Sequence, residues 1–226
     1  MAVGILGSHF GEASQPRQRP RFEHGADQCG YNILLLTRNR ADSKRSIFQG
    51  GVNTLRLADG AILMGLSPNP EELQWLTQVG YPFVYIGKRD IPDIEIDWVI
   101  TDYFSAGMQA ARHLLGLRHR RLAYIGEQSS FSTHSSQERW RGCHSAVAEV
   151  PNARITMLDQ AAVTDTKRLI SLLQRENISA LICNDASNFR EVMQALAQTT
   201  LRVPDDVSIV ALGDTLGDFA TSMNVT

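Results

Sequence analysis

The chain has 226 residues, 43% hydrophobic and 20% charged, which is enough for one large or two small globular domains. Its formal net charge is −2, whereas a domain that grips nucleic acid is usually basic, so composition argues against DNA binding through the charge of this chain. Three widely spaced cysteines, no membrane-length apolar stretch and no secretory signal predict a soluble, cytoplasmic protein without a membrane partner.

Short apolar runs alternate along the chain with segments of helical spacing. The runs span 2–6, 32–37, 61–65, 83–87, 97–101, 121–126, 153–158, 180–183 and 207–213. They are continuous rather than alternating, which is typical of strands covered on both faces of a parallel sheet. Helical spacing is clear in 103–117 and 186–198. The predicted fold class is therefore α/β, with doubly wound parallel sheets.

So many strands are too many for one small sheet, and a break near 116–120 divides the chain. We expect an N-terminal subdomain over 1–117 and a C-terminal subdomain over 118–226, with a ligand cleft between their sheets. In the first subdomain, Pro16 suits a first helical turn, but Pro20 is expected to interrupt a helix unless the helix starts there.

Motifs for catalysis or cofactor binding are incomplete. GILGSHFG (4–11) follows a strand but lacks the glycine spacing of a nucleotide loop. The acidic residues of 90–97 lack the glycine of a calcium loop, and the histidines form no metal cluster with the cysteines. No nucleophile has a visible base, so we expect no cofactor, no metal and no enzyme activity. The basic run RHRR (118–121) is interpreted as a solvated helix end.

Polar residues follow three strands of the second half, at the point where each strand ends. SSFSTHSSQERWRG (129–142) follows the strand at 121–126, NDAS (184–187) the strand at 180–183, and GDT (213–215) the strand at 207–213. Arginine is a forked donor, aspartate an acceptor and asparagine both, so together they suit a ligand with hydroxyl groups. The alternative is that these are only solvated loops.

Six motifs, taken in order and spacing, resemble the effector-binding domain of the lactose repressor family of bacterial transcriptional regulators. They are GYNILLLT, ADGAILMG, TDYFSAGMQAARHLLGLRHRRLAYIGE, SSQERWRGCHSAV, ALICND and VPDDVSIVALGDT. The resemblance covers nearly the whole chain. It implies a fold like that of type I periplasmic binding proteins, with the effector between two α/β subdomains.

The resemblance also implies which residues bind the effector. Arg139 matches the arginine that binds the effector in the family. Asp102 matches an aspartate that is common in the family near the subdomain crossover. Where the family has two acidic residues, this chain has Gly213 before Asp214, a departure that argues against a conventional sugar. The implied ligand-binding residues are Arg139, Asn184, Ser135, Asp214, Ser8 and Arg40.

We therefore expect the effector-binding and dimerisation domain of such a regulator, which binds a small, sugar-like ligand to control DNA binding. The resemblance implies a homodimer, for which 43–58 and 70–79 carry suitable apolar positions. Operator DNA is expected to be bound only through an N-terminal helix-turn-helix that this chain lacks, and the chain stops before the family's C-terminal segment. The alternatives are a solute-binding protein without a DNA role and a doubly wound enzyme.

Overall fold

The computed structural model describes residues 2–7, 15–37, 57–64, 70–88, 91–126 and 134–213. The chain divides into two compact units, Met1–Thr101 and Asp102–Thr226. The boundary therefore precedes the helix over 103–116, whereas the sequence analysis places it after that helix. The physical reason is that this helix packs against the helix over 134–148, which lies in the second unit.

The first unit contains one parallel sheet with the strand order β2-β1-β3-β4-β5. Its elements are β1 (Ala2–Gly7), α1 (Gln15–Gln28), β2 (Asn32–Thr37), β3 (Gly60–Met64), α2 (Pro70–Gln78), β4 (Phe83–Ile86) and β5 (Trp98–Val99). Its buried core joins β3, β4 and α2 through Ala61, Leu63, Leu73, Leu76, Tyr85 and Ile96.

The second unit contains a parallel sheet with the strand order β7-β6-β8-β9. Its elements are α3 (Tyr103–Gly116), β6 (Arg121–Ile125), α4 (His134–Ala148), β7 (Arg154–Leu158), α5 (Gln160–Thr164), α6 (Thr166–Arg175), β8 (Ala180–Cys183), α7 (Ala186–Leu196) and β9 (Ser208–Ala211). In the part of the chain that the structure describes, no helix is long and apolar enough to cross a membrane.

The second sheet is buried on both faces, as the continuous apolar runs predict. Along β6, Leu122 and Tyr124 join the core that α3 and α4 cover. The alternate residues Ala123 and Ile125 join the core on the opposite face, which α5, α6 and α7 cover. Each predicted run overlaps an observed strand, and the α/β class with doubly wound parallel sheets is confirmed.

The expectation that Pro20 interrupts a helix is wrong, because α1 continues through it. Proline lacks an N–H, so position 20 cannot donate to the carbonyl of residue 16, four positions earlier. Pro16 itself lies in the first turn, where N–H groups have no helical acceptor. The loss is thus confined to the start of α1, and the later turns keep their hydrogen bonds.

Aspartates begin four helices of the second unit. In each case the carboxylate accepts a hydrogen bond from a backbone N–H three residues later, which satisfies a donor that the first turn leaves unpaired. The capping residues are Asp102 for α3, Asp159 for α5, Asp165 for α6 and Asp185 for α7, with distances of 2.8–3.1 Å. Side chains that would otherwise favour turns therefore fix where these helices start.

Two glycines let α3 and α4 approach each other at backbone distance. A Cβ on Gly107 of α3 would overlap the carbonyl oxygen of Arg139 in α4, and a Cβ on Gly142 of α4 would overlap that of Phe104 in α3. The buried thiol of Cys143 donates to the Gly107 carbonyl oxygen at 3.2 Å. Each helix thus presents a glycine to the other, and the contact fixes the position of Arg139.

We predict that Gly107→Ala lowers the free energy of unfolding by about 3 kcal/mol, because the added methyl group meets backbone that cannot rotate away. Chemical denaturation followed by circular dichroism measures the change. Gly116→Ala is the matched control in the same helix, since no atom lies within 4 Å of its added Cβ. Its stability should be unchanged or slightly higher, and equal losses in both variants would contradict the close contact.

Candidate functional site

The carboxyl ends of β6 and β8 lie side by side at one edge of the second sheet. Ile125 and Cys183 are in register there. The next residue, Asn184, donates its backbone N–H to the carbonyl oxygen of Ile125 at 3.0 Å. Asn184 and the first turns of α4 therefore meet above the ends of adjacent strands, where ligands bind in open α/β sheets.

Asn184 is a buried polar residue whose side chain is fully engaged within the second unit. Only 4% of its surface is exposed. Its Oδ1 accepts from the Tyr124 hydroxyl at 2.7 Å, while its Nδ2 donates to Ser136 Oγ at 3.3 Å and to Asp185 Oδ2 at 3.2 Å. Because a buried amide needs such partners, these bonds hold Asn184 in one orientation.

Arg139 lies against this group through its guanidinium. Its Nη1 donates to the backbone carbonyl oxygen of Asn184 at 2.9 Å, and its Cζ is 4.8 Å from the centre of the Tyr103 ring. A guanidinium carries five N–H donors in a rigid fork. Among the described residues, this bond to Asn184 is the only hydrogen bond that Arg139 donates. The guanidinium is therefore held in place while its other N–H groups remain available to a ligand.

The phenol of Tyr124 is held as a hydrogen-bond donor. Burial, and secondarily the neighbouring Cys143, raise the pKa of Tyr124 well above its usual value, so the hydroxyl keeps its proton. Its ring packs edge-on against Trp140, with centroids 5.4 Å apart. Burial also raises the pKa of Cys143 to about 12, so this cysteine stays a thiol near neutral pH and is not an activated nucleophile.

The other expected site residues fall in three groups. Ser135 lies in the first turn of α4 and is half-buried. Asp102 is exposed and caps α3, and the backbone and side-chain hydrogen bonds from Ser105 lower the pKa of its carboxyl group. Three residues, Ser8, Arg40 and Asp214, lie outside the described residues. Within the described ranges, no group of three or more potential ligands could hold a metal ion.

Three residues of this cluster were not foreseen from the sequence, namely Tyr103, Tyr124 and Ser136. Tyr124 is a hydroxyl-bearing residue among the apolar residues at the carboxyl end of β6, a signal that its hydroxyl needs a partner at that edge. Ser136 stands among several serines, and nothing in the sequence distinguishes it from Ser135. The choice depends on helix phase, which places Ser136 in the core and beside Asn184.

Comparison with known families matches residues 111–225 to the periplasmic binding protein-like domain. The chain is similar to the HTH-type transcriptional regulator DegA of Bacillus subtilis (strain 168), with 25% identity over 228 residues. That alignment covers 96% of this chain and 64% of DegA. The chain therefore corresponds to less than two thirds of that relative.

Two solved structures share the fold. A regulatory protein of the LacI family from Chloroflexus aggregans superposes with a TM-score of 0.76 at 20% identity, over 99% of this chain and 81% of that chain. An ABC transporter periplasmic solute binding protein from Actinobacillus succinogenes 130z, with bound D-allose, has a TM-score of 0.72 at 16% identity, over 94% of this chain and 77% of that chain. At these identities both show the fold alone.

Removing the Tyr124 hydroxyl tests the hydrogen-bonded group around Asn184. We predict that Tyr124→Phe lowers the free energy of unfolding by about 1–3 kcal/mol, because it leaves the buried Asn184 Oδ1 without that donor. Urea denaturation measures the loss. Tyr103→Phe is the matched control, since it removes a hydroxyl from a half-buried tyrosine but keeps the ring beside Arg139. Equal stability of Tyr124→Phe and the unaltered protein would contradict the prediction.

Proposed function

This chain belongs to the family of periplasmic binding protein-like domains. From this premise we propose that it is an effector-binding domain of the LacI type and that it binds a small polar effector through Arg139. The effector is a sugar or a related molecule with several hydroxyl groups. Its binding controls the attachment of the regulator to operator DNA through a separate module. The ligand acts by favouring one of two arrangements of the protein.

The observation that carries this proposal is the anchored guanidinium of Arg139. The Asn184 carbonyl and the Tyr103 ring fix the guanidinium before any ligand arrives, so less side-chain entropy is lost on binding. Its position above the carboxyl ends of β6 and β8 is the usual place for ligands in such sheets. The N–H donors of a guanidinium fork suit the hydroxyl oxygens of a sugar-like ligand.

Asn184 is proposed as the second ligand contact, with a condition that its hydrogen bonds impose. Its amide is bonded to Tyr124, Ser136 and Asp185. A ligand hydroxyl must therefore replace one of these bonds, and the 3.3 Å bond to Ser136 is the longest of the three. Even without direct contact, Asn184 contributes by holding Arg139 through its carbonyl oxygen.

A solute-binding protein without a DNA role is the alternative, since such a protein shares the fold. That likeness is at 16% identity and concerns the fold alone. The relative at 25% identity is a transcriptional regulator, and its alignment covers 96% of this chain. The sequence similarity therefore favours the regulator.

A ligand screen followed by mutation of Arg139 tests the proposal. We expect a sugar, sugar phosphate, nucleoside or purine to raise the melting temperature, because a ligand that binds only the folded state stabilises it. Arg139→Ala should then weaken that ligand by about one to two decades in calorimetry, since a charged hydrogen bond contributes about 1.5–3 kcal/mol. Arg139→Lys should recover only part of the affinity, because lysine lacks the fork.

Arg112→Ala is the matched control for this experiment. Arg112 is an arginine of the same unit that pairs with Glu149 on the surface, with half of its side chain exposed. Its removal should leave the affinity unchanged. If Arg139→Ala binds the screened ligand as tightly as the unaltered protein, Arg139 is not a ligand contact and the proposed site is wrong.

We further propose that the chain forms a homodimer through the outer face of α2. Trp75 is 43% exposed and Val79, one turn later, is 52% exposed, while Leu73 and Leu76 of the same helix point into the core. The other segment that the sequence analysis expects to take part in the dimer is 43–58. Of this segment, the structure describes only residues 57 and 58. An apolar pair on the solvent side of a helix fits a self-contact.

Charge added to this surface should dissociate the dimer. We expect Trp75→Glu to convert a dimeric mass into a monomeric one in light scattering at micromolar concentration, because a carboxylate would be buried without a partner. Gln109→Glu adds the same charge at an exposed position of α3 and should remain dimeric. A monomeric mass for the unaltered chain would contradict the proposal.

A further inference from the structure

Four helices end in the same way just before a strand of their sheet. In each, a residue with positive φ follows the helix, and the next residue donates its N–H to a carbonyl five positions earlier, as in a Schellman motif. The residues with positive φ are Gly30 (71°), Gly80 (66°), Arg118 (70°) and Asn177 (51°). Arg118 is the exception, because glycine and asparagine are the residues that favour this conformation.

An arginine at this position is less favourable for folding than the glycine that two other helix ends use. The left-handed conformation brings Cβ close to the backbone, a cost that glycine does not have. The side chain of Arg118 is exposed, so it does not recover that cost by packing in the core. Folding alone therefore does not explain the arginine.

Arg118 begins a group of arginines at the amino ends of β6 and β7, the edge of the sheet opposite Asn184. Arg121 and Arg154 are in-register neighbours on adjacent strands, an arrangement in which like charges repel. Between Arg118 and Arg121 in sequence, Arg120 is exposed and donates Nη1 to the Leu115 and His119 carbonyl oxygens, both at 2.9 Å. The pairing of Arg121 with Arg154 is thus a second unfavourable arrangement, close in sequence to the left-handed Arg118.

Acidic residues at this edge already have other partners. Glu149, before β7, pairs with Arg112. Glu176, before β8, pairs with Arg175, and Asp205 and Asp206, before β9, both pair with Arg202. Among the described residues, no carboxylate pairs with Arg118, Arg121 or Arg154, so this edge has a surplus of positive charge although the chain as a whole has a net charge of −2.

We propose that this arginine edge, defined as Arg118, Arg120, Arg121 and Arg154, binds a carboxylate-rich segment of a partner protein. Guanidinium forks match carboxylate oxygens in pairs. Leu117, 57% exposed beside Arg118, adds an apolar contact of the kind found in protein interfaces. The edge lies at the opposite end of the sheet from Asn184, so a partner and an effector can be bound together.

Nucleic acid is the weaker match to the same charges. A surface for single strands combines basic residues with aromatic side chains on which bases stack, and the segment 117–121 contains no phenylalanine, tyrosine or tryptophan. The net charge of −2 also opposes the long-range attraction that polyanionic nucleic acid requires. A short acidic segment needs only local complementarity.

The test measures fluorescence anisotropy of a labelled deca-glutamate peptide with the full chain at physiological salt. We expect binding that Arg118→Gly and Arg154→Ala each weaken about two- to fivefold, and that the double variant weakens about tenfold. Arg118→Gly should at the same time raise the melting temperature, because glycine relieves the left-handed conformation. A purely structural role for Arg118 would not separate binding from stability in this way.

Two controls make the result specific. Asn177→Gly changes the equivalent helix end without removing a charge. Arg141→Ala removes an arginine that is paired with Glu138 of its own helix. Both variants should bind the peptide like the unaltered chain. The proposal is overturned if deca-glutamate does not bind, or if the Arg118 and Arg154 variants bind it equally well. Tighter binding of a DNA duplex of equal charge would also overturn it.

Discussion

The backbone contact between α3 and α4 is the constraint on which the candidate site depends. Gly107 faces the backbone of Arg139 and Gly142 faces that of Phe104, so neither helix can shift along the other without a collision. Tyr103 and Arg139 lie on either side of this contact, which is why the ring and the guanidinium meet. An interaction between a half-buried tyrosine and an arginine would be weak alone. Here both backbones are already fixed, so little conformational entropy remains to be lost when the two side chains meet.

The second constraint is the need of buried polar groups for partners. Asn184 lies between the end of β8 and the start of α7. Its backbone N–H is paired with the sheet, but its buried side-chain amide needs hydrogen-bond partners of its own. Tyr124 from β6, Ser136 from α4 and Asp185 from the cap of α7 supply those bonds. The amide therefore joins four elements at one edge of the sheet. The backbone carbonyl oxygen of Asn184 in turn accepts a hydrogen bond from Arg139 and so helps to hold its guanidinium in place.

The strands of the second sheet were predictable because burial on both faces leaves a clear signal in the sequence, the continuous apolar run. The predicted unit boundary lies after α3 because a helix end near 116–120 resembles a linker, and the glycine contact that ties α3 to α4 joins residues far apart in sequence. The prediction for Pro20 failed because the rule that proline interrupts a helix was applied without knowing where α1 begins. For the site, polar segments that follow the strands indicated Arg139 and Asn184. The hydrogen-bond partners of these side chains depend on helix phase and could not be predicted from the sequence.

The two edges of the second sheet are organised by opposite physical rules. At the carboxyl edge the buried polar groups find partners within the protein, which gives a rigid support on which one guanidinium retains donors. At the amino edge the acidic residues are paired while several arginines remain, and one arginine occupies a backbone conformation that glycine would adopt more favourably. Natural sequences are locally consistent with their fold except where function requires otherwise. At the same kind of helix end, Gly30, Gly80 and Asn177 are residue types that favour a positive φ. Arg118 is not, and this departure points to a requirement outside folding.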